Sequence, residues 1–186
     1  MVQFHENSPE KSGIDDMSIV NDMAVIIEDG LIADIQQSSV VRSEYDYVGH
    51  DPELRGDLHF ISLGGKAVIP GLVDGHTHLV WSGDRSREVR WRQQGKSYSE
   101  IASMGGGIAS TTAATRAAST DSLFRSGYQR MRRALRSGTT HMEVKSGYGL
   151  STESELKLLE VSRQLGSVDH LPSIDSTWLG AHDIPS

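Results

Sequence analysis

After Pro70 the chain alternates strand-length apolar runs with amphipathic helical ones, and this alternation constrains the fold more than any other feature. Leu72 and Val73 open a run that reads as a buried strand leading towards His78. After a long loop a helical pattern begins near Asp121, with Thr120 as candidate N-cap. Phe124, Tyr128, Met131 and Leu135 then recur at i, i+4, i+7 and i+11, on one face of a helix, and Gly138 is placed as its C′ residue. Thr139–Lys145 reads as a second strand and Gly147-Tyr148-Gly149 as a turn. Thr152 and Glu155 fit a capping box for a helix reaching Leu165 and closed by Gly166, and Leu171–Leu179 reads as a third strand. Strand, helix, strand, helix, strand is βα repetition, which implies an α/β fold with a parallel sheet. Eight strands are needed to close a (β/α)8 barrel. Residues 70–186 supply about three βα units and stop at Ser186, just after the third strand, so the expectation is an incomplete, truncated architecture.

The first third has a different character. Residues 1–69 carry 13 acidic and 4 basic side chains, a balance of −9, whereas residues 70–186 carry 12 and 14, a balance of +2. Residues 1 to about 17 are polar and read as irregular. Met23–Glu28, the turn Asp29-Gly30 and Leu31–Ile35 form a hairpin signal, and His59–Leu63, Gly64-Gly65 and Lys66–Ile69 read the same way. Residues 37–58 are polar without a period and suit a long surface loop. Residues 1–69 are therefore expected to contribute to a small β-sandwich.

Composition narrows the chemistry. The chain has no cysteine, so any metal must be held by His, Asp or Glu. Its longest apolar stretches are too short to cross a bilayer and its N-terminus lacks a signal-peptide core, so a cytoplasmic protein without a membrane partner is expected. Arg130, Arg132, Arg133 and Arg136 lie on the helical pattern without interleaved aromatics, and are expected to form a solvated face rather than a nucleic-acid surface.

His76 and His78 stand two residues apart at the end of the first strand. Side chains at i and i+2 share a face, so both imidazoles can reach one ion at zinc–nitrogen distances of about 2.0–2.1 Å. Their position after an apolar strand is where barrel sites collect their chemistry. Arg85, seven residues beyond His78, can offer a carboxylate a two-pronged hydrogen bond. Tyr148 stands between two glycines at the end of the second strand, where its phenol can approach a ligand. Glu143 and Lys145 share one side of that strand and are expected to pair. Gly105–Gly107 is not followed by Lys-Ser/Thr and is no phosphate loop. His5, His50, His59, His141 and His170 have no motif around them and read as structural.

Pro70-Gly71-Leu72-Val73-Asp74-Gly75-His76-Thr77-His78 resembles the first-strand signature of the amidohydrolase superfamily. Gly83-Asp84-Arg85, Gly105-Gly106-Gly107-Ile108, Ala114-Thr115-Arg116, Glu143 through Leu150, and Gly180-Ala181-His182 resemble imidazolonepropionase, in the same order from about Lys66 to Pro185. The resemblance implies the first part of a TIM-like amidohydrolase barrel. It implies hydrolysis of 4-imidazolone-5-propanoate to N-formimidoyl-L-glutamate in histidine degradation, by metal-activated water. One divalent ion, zinc or iron, would be held by His76 and His78, and a small anionic heterocyclic substrate by Arg85, Tyr148 and His182. In that family the remaining metal ligands and the general base come from later strands. They are expected beyond Ser186, so no catalytic base is assignable within the chain. The expectation is a fragment of low activity, with a missing C-terminal half or a second copy of the chain (a homo-oligomer) as its expected partner. His182 as a third metal ligand, another amidohydrolase (a cyclic amidase or heterocyclic amine deaminase), and a non-enzymatic ligand-binding remnant are the open alternatives. The context of Lys145 does not match the carboxylated lysine of two-metal amidohydrolases.

Overall fold

The computed structural model describes residues 2–4, 17–49 and 58–184. The chain divides into two compact units, residues 1–70 and 71–186.

In the first unit β1 (Val2–Phe4) pairs antiparallel with β2 (Met17–Ile19), where the sequence reads as irregular. Residues 5–16, including His5, lie outside the described residues. β3 (Met23–Glu28) and β4 (Leu31–Gln37) form the expected hairpin, with a bulge at Ile26/Ile27. Its turn residues Asp29 and Gly30 have φ of 50° and 79°, the two positive values a type I′ turn requires. The expected surface loop over 37–58 is corrected by helix α1 (Ser38–Gly49), which starts where Ser38 N–H bonds the Asp22 carbonyl at 2.8 Å and which buries Val41. Residues 50–57, with His50, lie outside the described residues. The second expected hairpin is also corrected. Gly64-Gly65 does turn the chain, with Lys66 N–H on the Leu63 carbonyl at 3.1 Å, but no strands flank it. Phe60 and Ile61 are exposed there, so the apolar alternation has no buried face to fix a ladder.

In the second unit β5 (Leu72–Thr77), β6 (Thr139–Lys145) and β7 (Ser173–Thr177) form a parallel sheet in the order β5-β6-β7. Pro185 and Ser186, the point past which the sequence reading expects the general base, lie outside the described residues. The segment expected to be a long loop instead contains α2 (Ser86–Gln93), α3 (Tyr98–Ser103) and α4 (Gly107–Ala117). α2 and α3 span 8 and 6 residues, too short to display a helical period. α3 is nevertheless marked by a complete Ser97/Glu100 capping box.

The long helices α5 (Thr120–Arg136) and α6 (Thr152–Gly166) pack on each other and on β6 and β7. Their N-caps are Ser119 and Ser151, whose hydroxyls accept the N–H of Ser122 and Ser154. Thr120 and Thr152 are thus the first helical residues, and each helix starts one position earlier than expected. Gly138, with φ of 96°, follows the α5 C-cap Ser137 as expected, whereas Gly166 is still helical and Ser167 caps α6. The buried stripe of α5 runs through Leu123, Gly127 and Met131, with Phe124 and Tyr128 at its margin and Leu135 outside it. A side chain at Gly127 would strike Leu165, whose Cδ1 lies 2.6 Å from a Cβ placed there, so the small residue sets the closeness of α5 and α6. Leu123, Met131, Met142, Val144, Leu158, Val161 and Leu165 form the centre of the core, joined by Leu79 and Val80 from the segment after β5. β5 itself is not the buried strand the sequence suggests: Leu72 and Val73 are 50% and 68% exposed. Among the described residues it lies at the edge of the sheet and pairs with β6 alone, through an irregular register.

Candidate active site

Three strand ends bring four rings together. His76 lies within β5 and His78 immediately beyond it, with ring centroids 5.5 Å apart at an edge-on angle of 69°. Tyr148, from the loop after β6, stands 4.8 Å from the His78 ring. His182, after β7, stands 4.7 Å from His78 and 5.7 Å from Tyr148. Parallel strands make this convergence possible, because their C-terminal ends open on the same edge of the sheet.

His78 is the centre of the cluster. Burial holds its pKa below the ordinary imidazole value; nearby His182 and His76 add to this, and the carbonyls of Lys145 and Ser146 oppose it. The ring is therefore neutral near pH 7, the form that ligates metals. Its Nδ1 is buried without a hydrogen-bond partner. An orphaned polar atom of this kind costs about 1–3 kcal/mol, which a bound group would offset. Two imidazoles 5.5 Å apart fit one ion with bonds of about 2.0–2.1 Å. Among the described residues no group of three His, Cys, Asp or Glu is gathered for a metal, so the pair fits part of a coordination sphere.

The Tyr148 loop is fixed by a residue the sequence reading assigned elsewhere. Glu155 does not close a capping box. Its carboxylate is buried and accepts the N–H groups of Gly147, Gly149 and Leu150, each at 2.7 Å. Glycine is required on both sides of Tyr148. A Cβ at Gly147, which has φ of 128°, would stand 2.9 Å from His182 Cβ, and one at Gly149 would stand 2.7 Å from the Glu155 nitrogen. The first glycine therefore admits His182 to the cluster and the second admits α6.

Arg85 is not in the ring cluster. It precedes α2, and its Nε and Nη2 each donate to the Glu88 carboxylate at 2.8 Å. The two-pronged bond expected for a ligand is thus partly used within the chain. Glu88 is only 3% exposed and also accepts Gly107 N–H at 2.7 Å, so it caps α4, whose N-cap Gly106 has no side chain to do so. Hydrogen bonding from Arg85 foremost lowers the Glu88 pKa from 4.5 to about 2, with Gly107 and the charges of Arg85 and Arg92 assisting against burial. Tyr98 and Tyr148 both lie within electrostatic range of the Arg85 guanidinium.

Glu143 and Lys145 pair as expected, and Thr177 Oγ1 donates to Glu143 at 2.7 Å. These bonds, Lys145 first, lower the Glu143 pKa, and His76 contributes at longer range. Arg130 departs from the expected solvated face. It is half-buried, donates Nη1 to the carbonyls of Leu79 and Trp81 at 2.8 and 3.0 Å, and stacks 3.8 Å over the Trp81 ring. Burial lowers its pKa, with Arg133 assisting. The segment leaving His78 is therefore held by α5. Away from the cluster, His141 bonds Ser173 Oγ at 2.8 Å and faces Asp175 at 3.3 Å.

Glu88 is absent from the sequence analysis, and Glu155 and Arg130 are given other roles there. Only Glu88 had a local signal there, its i+3 spacing from Arg85. Arg130 reaches about fifty residues back along the chain, beyond any periodicity.

Fold and site together define a parallel α/β protein that gathers histidines and a tyrosine at its strand ends. No protein-family model matches the chain. It is 44% identical over 172 residues to imidazolonepropionase of Brevibacillus brevis, covering 92% of the chain and 39% of that protein. It is 46% identical over 169 residues to imidazolonepropionase of Pseudomonas entomophila (90% and 39%), and 46% over 166 residues to that of Shewanella sediminis (89% and 38%). Over about nine-tenths of its length the chain is similar to these imidazolonepropionases. It spans about two-fifths of the length of these relatives.

Proposed function

We propose that this chain supplies the first two metal ligands and three substrate-binding side chains of an imidazolonepropionase. The reaction is hydrolysis of 4-imidazolone-5-propanoate to N-formimidoyl-L-glutamate in histidine degradation. It is assigned to the chain together with the segments its longer relatives have in addition. The observation that carries the reading is the gathering of His76, His78, Tyr148 and His182 at the ends of parallel strands. Their occurrence in a chain 44% identical to an imidazolonepropionase supports it.

His76 and His78 would hold one divalent ion, zinc or iron. When bound, such an ion supplies a water of lowered pKa and polarises a carbonyl. A catalytic zinc ordinarily takes three protein ligands, so a third is assigned to a segment present in the longer relatives. Arg85 would receive the propanoate carboxylate. Glu88 engages its Nε and one Nη2 hydrogen, which leaves the Nη1 donors for a ligand. Tyr148 would donate its phenolic hydrogen to the substrate. His182 would donate a ring N–H to the carbonyl oxygen, where negative charge develops. No residue from Met1 to Ser186 is assigned as general base; that role falls to the same additional segments. On this reading β5, β6 and β7 are the first strands of a (β/α)8 barrel, and residues 1–69 contribute to a small β-sandwich. The protein would work in the cytoplasm on a small anionic heterocycle, without nucleic acid. No described helix is long and apolar enough to cross a membrane.

The test is a chimera in which this chain replaces the matching segment of the Brevibacillus brevis protein. The expected result is turnover of 4-imidazolone-5-propanoate, abolished by His76→Ala or His78→Ala. Arg85→Ala should raise KM at least about tenfold, as the loss of a charged hydrogen bond implies. A folded chimera without turnover, or an Arg85→Ala variant of unchanged KM, would overturn the reading.

A further inference from the structure

Helix α4 touches two of the three loops that carry the proposed substrate contacts, those bearing Arg85 and Tyr148. Thr115 is fully buried, and its Oγ1 accepts the N–H of Ser82 at 3.0 Å, in the loop that leads to Arg85. Beside it Ala114 lies against Gly83, where an added Cβ would stand 2.9 Å from the Ala114 methyl. The next residue, Arg116, faces the other loop. Its Nε donates to the Gly149 carbonyl at 2.6 Å and its Nη2 to the Leu150 carbonyl at 2.9 Å. Glu155 holds the N–H groups of these same two residues, so the loop is gripped through its carbonyls from α4 and through its amides from α6. Lys157 ties the helices together by donating to the carbonyls of Arg116 and Ala118, at 3.0 and 3.1 Å, at the end of α4. Leu150 is held at φ of 52°, a left-handed conformation that a bulky side chain adopts only when its surroundings impose it.

We propose that Thr115 and Arg116 form a common mount that sets the spacing between the loop bearing Arg85 and the loop bearing Tyr148. Arg116 is then a positioning residue for the substrate site. The inference rests on the reading that Arg85 and Tyr148 contact one anionic substrate. Arginine suits the place because its planar fork meets two successive carbonyls at once, which the single ammonium of lysine cannot reproduce.

The experiment uses the full chain, with 3-(imidazol-4-yl)propanoate as probe. Binding is measured by calorimetry, and the Tyr148–His78 ring contact by nuclear Overhauser effect. Arg116→Ala is expected to weaken the probe roughly tenfold or more and to lose the ring contact. Added guanidinium ion should restore part of both. Arg116→Lys should restore neither, and the amide protection of α5 and α6 should be unchanged. Unaltered affinity with an unaltered ring contact would overturn the mount, as would loss of protection spread through α5 and α6. If the wild-type chain does not bind the probe, the substrate reading fails, and the ring contact alone decides whether Arg116 positions Tyr148. If Arg116→Ala does not fold, Arg116→Lys is judged by the same measurements.

Discussion

Glu88→Gln removes one charge while keeping the side chain's size, and its consequence can be worked from the structure. The carboxylate is buried, accepts both prongs of Arg85 at 2.8 Å and takes Gly107 N–H at 2.7 Å. Holding a carboxyl that ordinarily titrates at 4.5 down to about 2 corresponds to roughly 3 kcal/mol in favour of the charged form. Arg85 is one-third exposed, and solvent screening reduces the expected contribution to about 2–3 kcal/mol. A depressed carboxylate pKa stabilises the fold above the unfolded value, and this contribution is lost as pH falls from about 4.5 through about 2. Urea denaturation of wild type and Glu88→Gln should therefore differ by about 2–3 kcal/mol at pH 7, and the gap should close towards pH 2. Other carboxylates shift both proteins alike, so the difference isolates Glu88. A gap independent of pH, or one below about 0.5 kcal/mol at pH 7, would refute the reasoning.

Gly147→Ala should cost about 1–3 kcal/mol and displace the His182 ring, seen as shifted His182 resonances, because φ is 128° and the new Cβ meets His182 at 2.9 Å. Arg130→Met should destabilise the chain by about 2 kcal/mol through the loss of two carbonyl bonds and the stack on Trp81. A red-shifted Trp81 emission, read with Trp91 and Trp178 replaced by phenylalanine, should accompany it. Ser119→Ala should cost about 1 kcal/mol in thermal or urea denaturation and Thr120→Ala well under half of that, since Ser119 is the residue that caps α5.

The sequence made the sheet legible because β6, α6 and β7 are separated by strong punctuation and α5 carries a long amphipathic pattern. It misplaced the α5 stripe because Gly127, which has no side chain to signal burial, is buried where Leu165 of α6 packs. It missed α2 and α3, which are too short to show a period, and α4, whose small residues carry none and whose start is fixed by Glu88 on Gly107. Apolar Leu72 and Val73 read as interior, yet they lie on an edge strand and are exposed. Among the candidate residues, His76 and His78 were marked by type and spacing and Tyr148 by its flanking glycines, whereas His182 was marked only by the family resemblance. The residues that hold their loops were not legible. Arg116 and its carbonyl partners are 33 and 34 positions apart, a separation no local pattern reports.

The claim that His76 and His78 hold one cation beside the substrate-binding rings of Tyr148 and His182 is tested most directly by adding zinc to the full chain and following the imidazole nitrogens by NMR. The resonances of His76 and His78 should move together, with the ring protons of Tyr148 and His182 following, while His59 and His170 stay in place. Shifts no larger at His76 and His78 than at His59 and His170 would contradict the account.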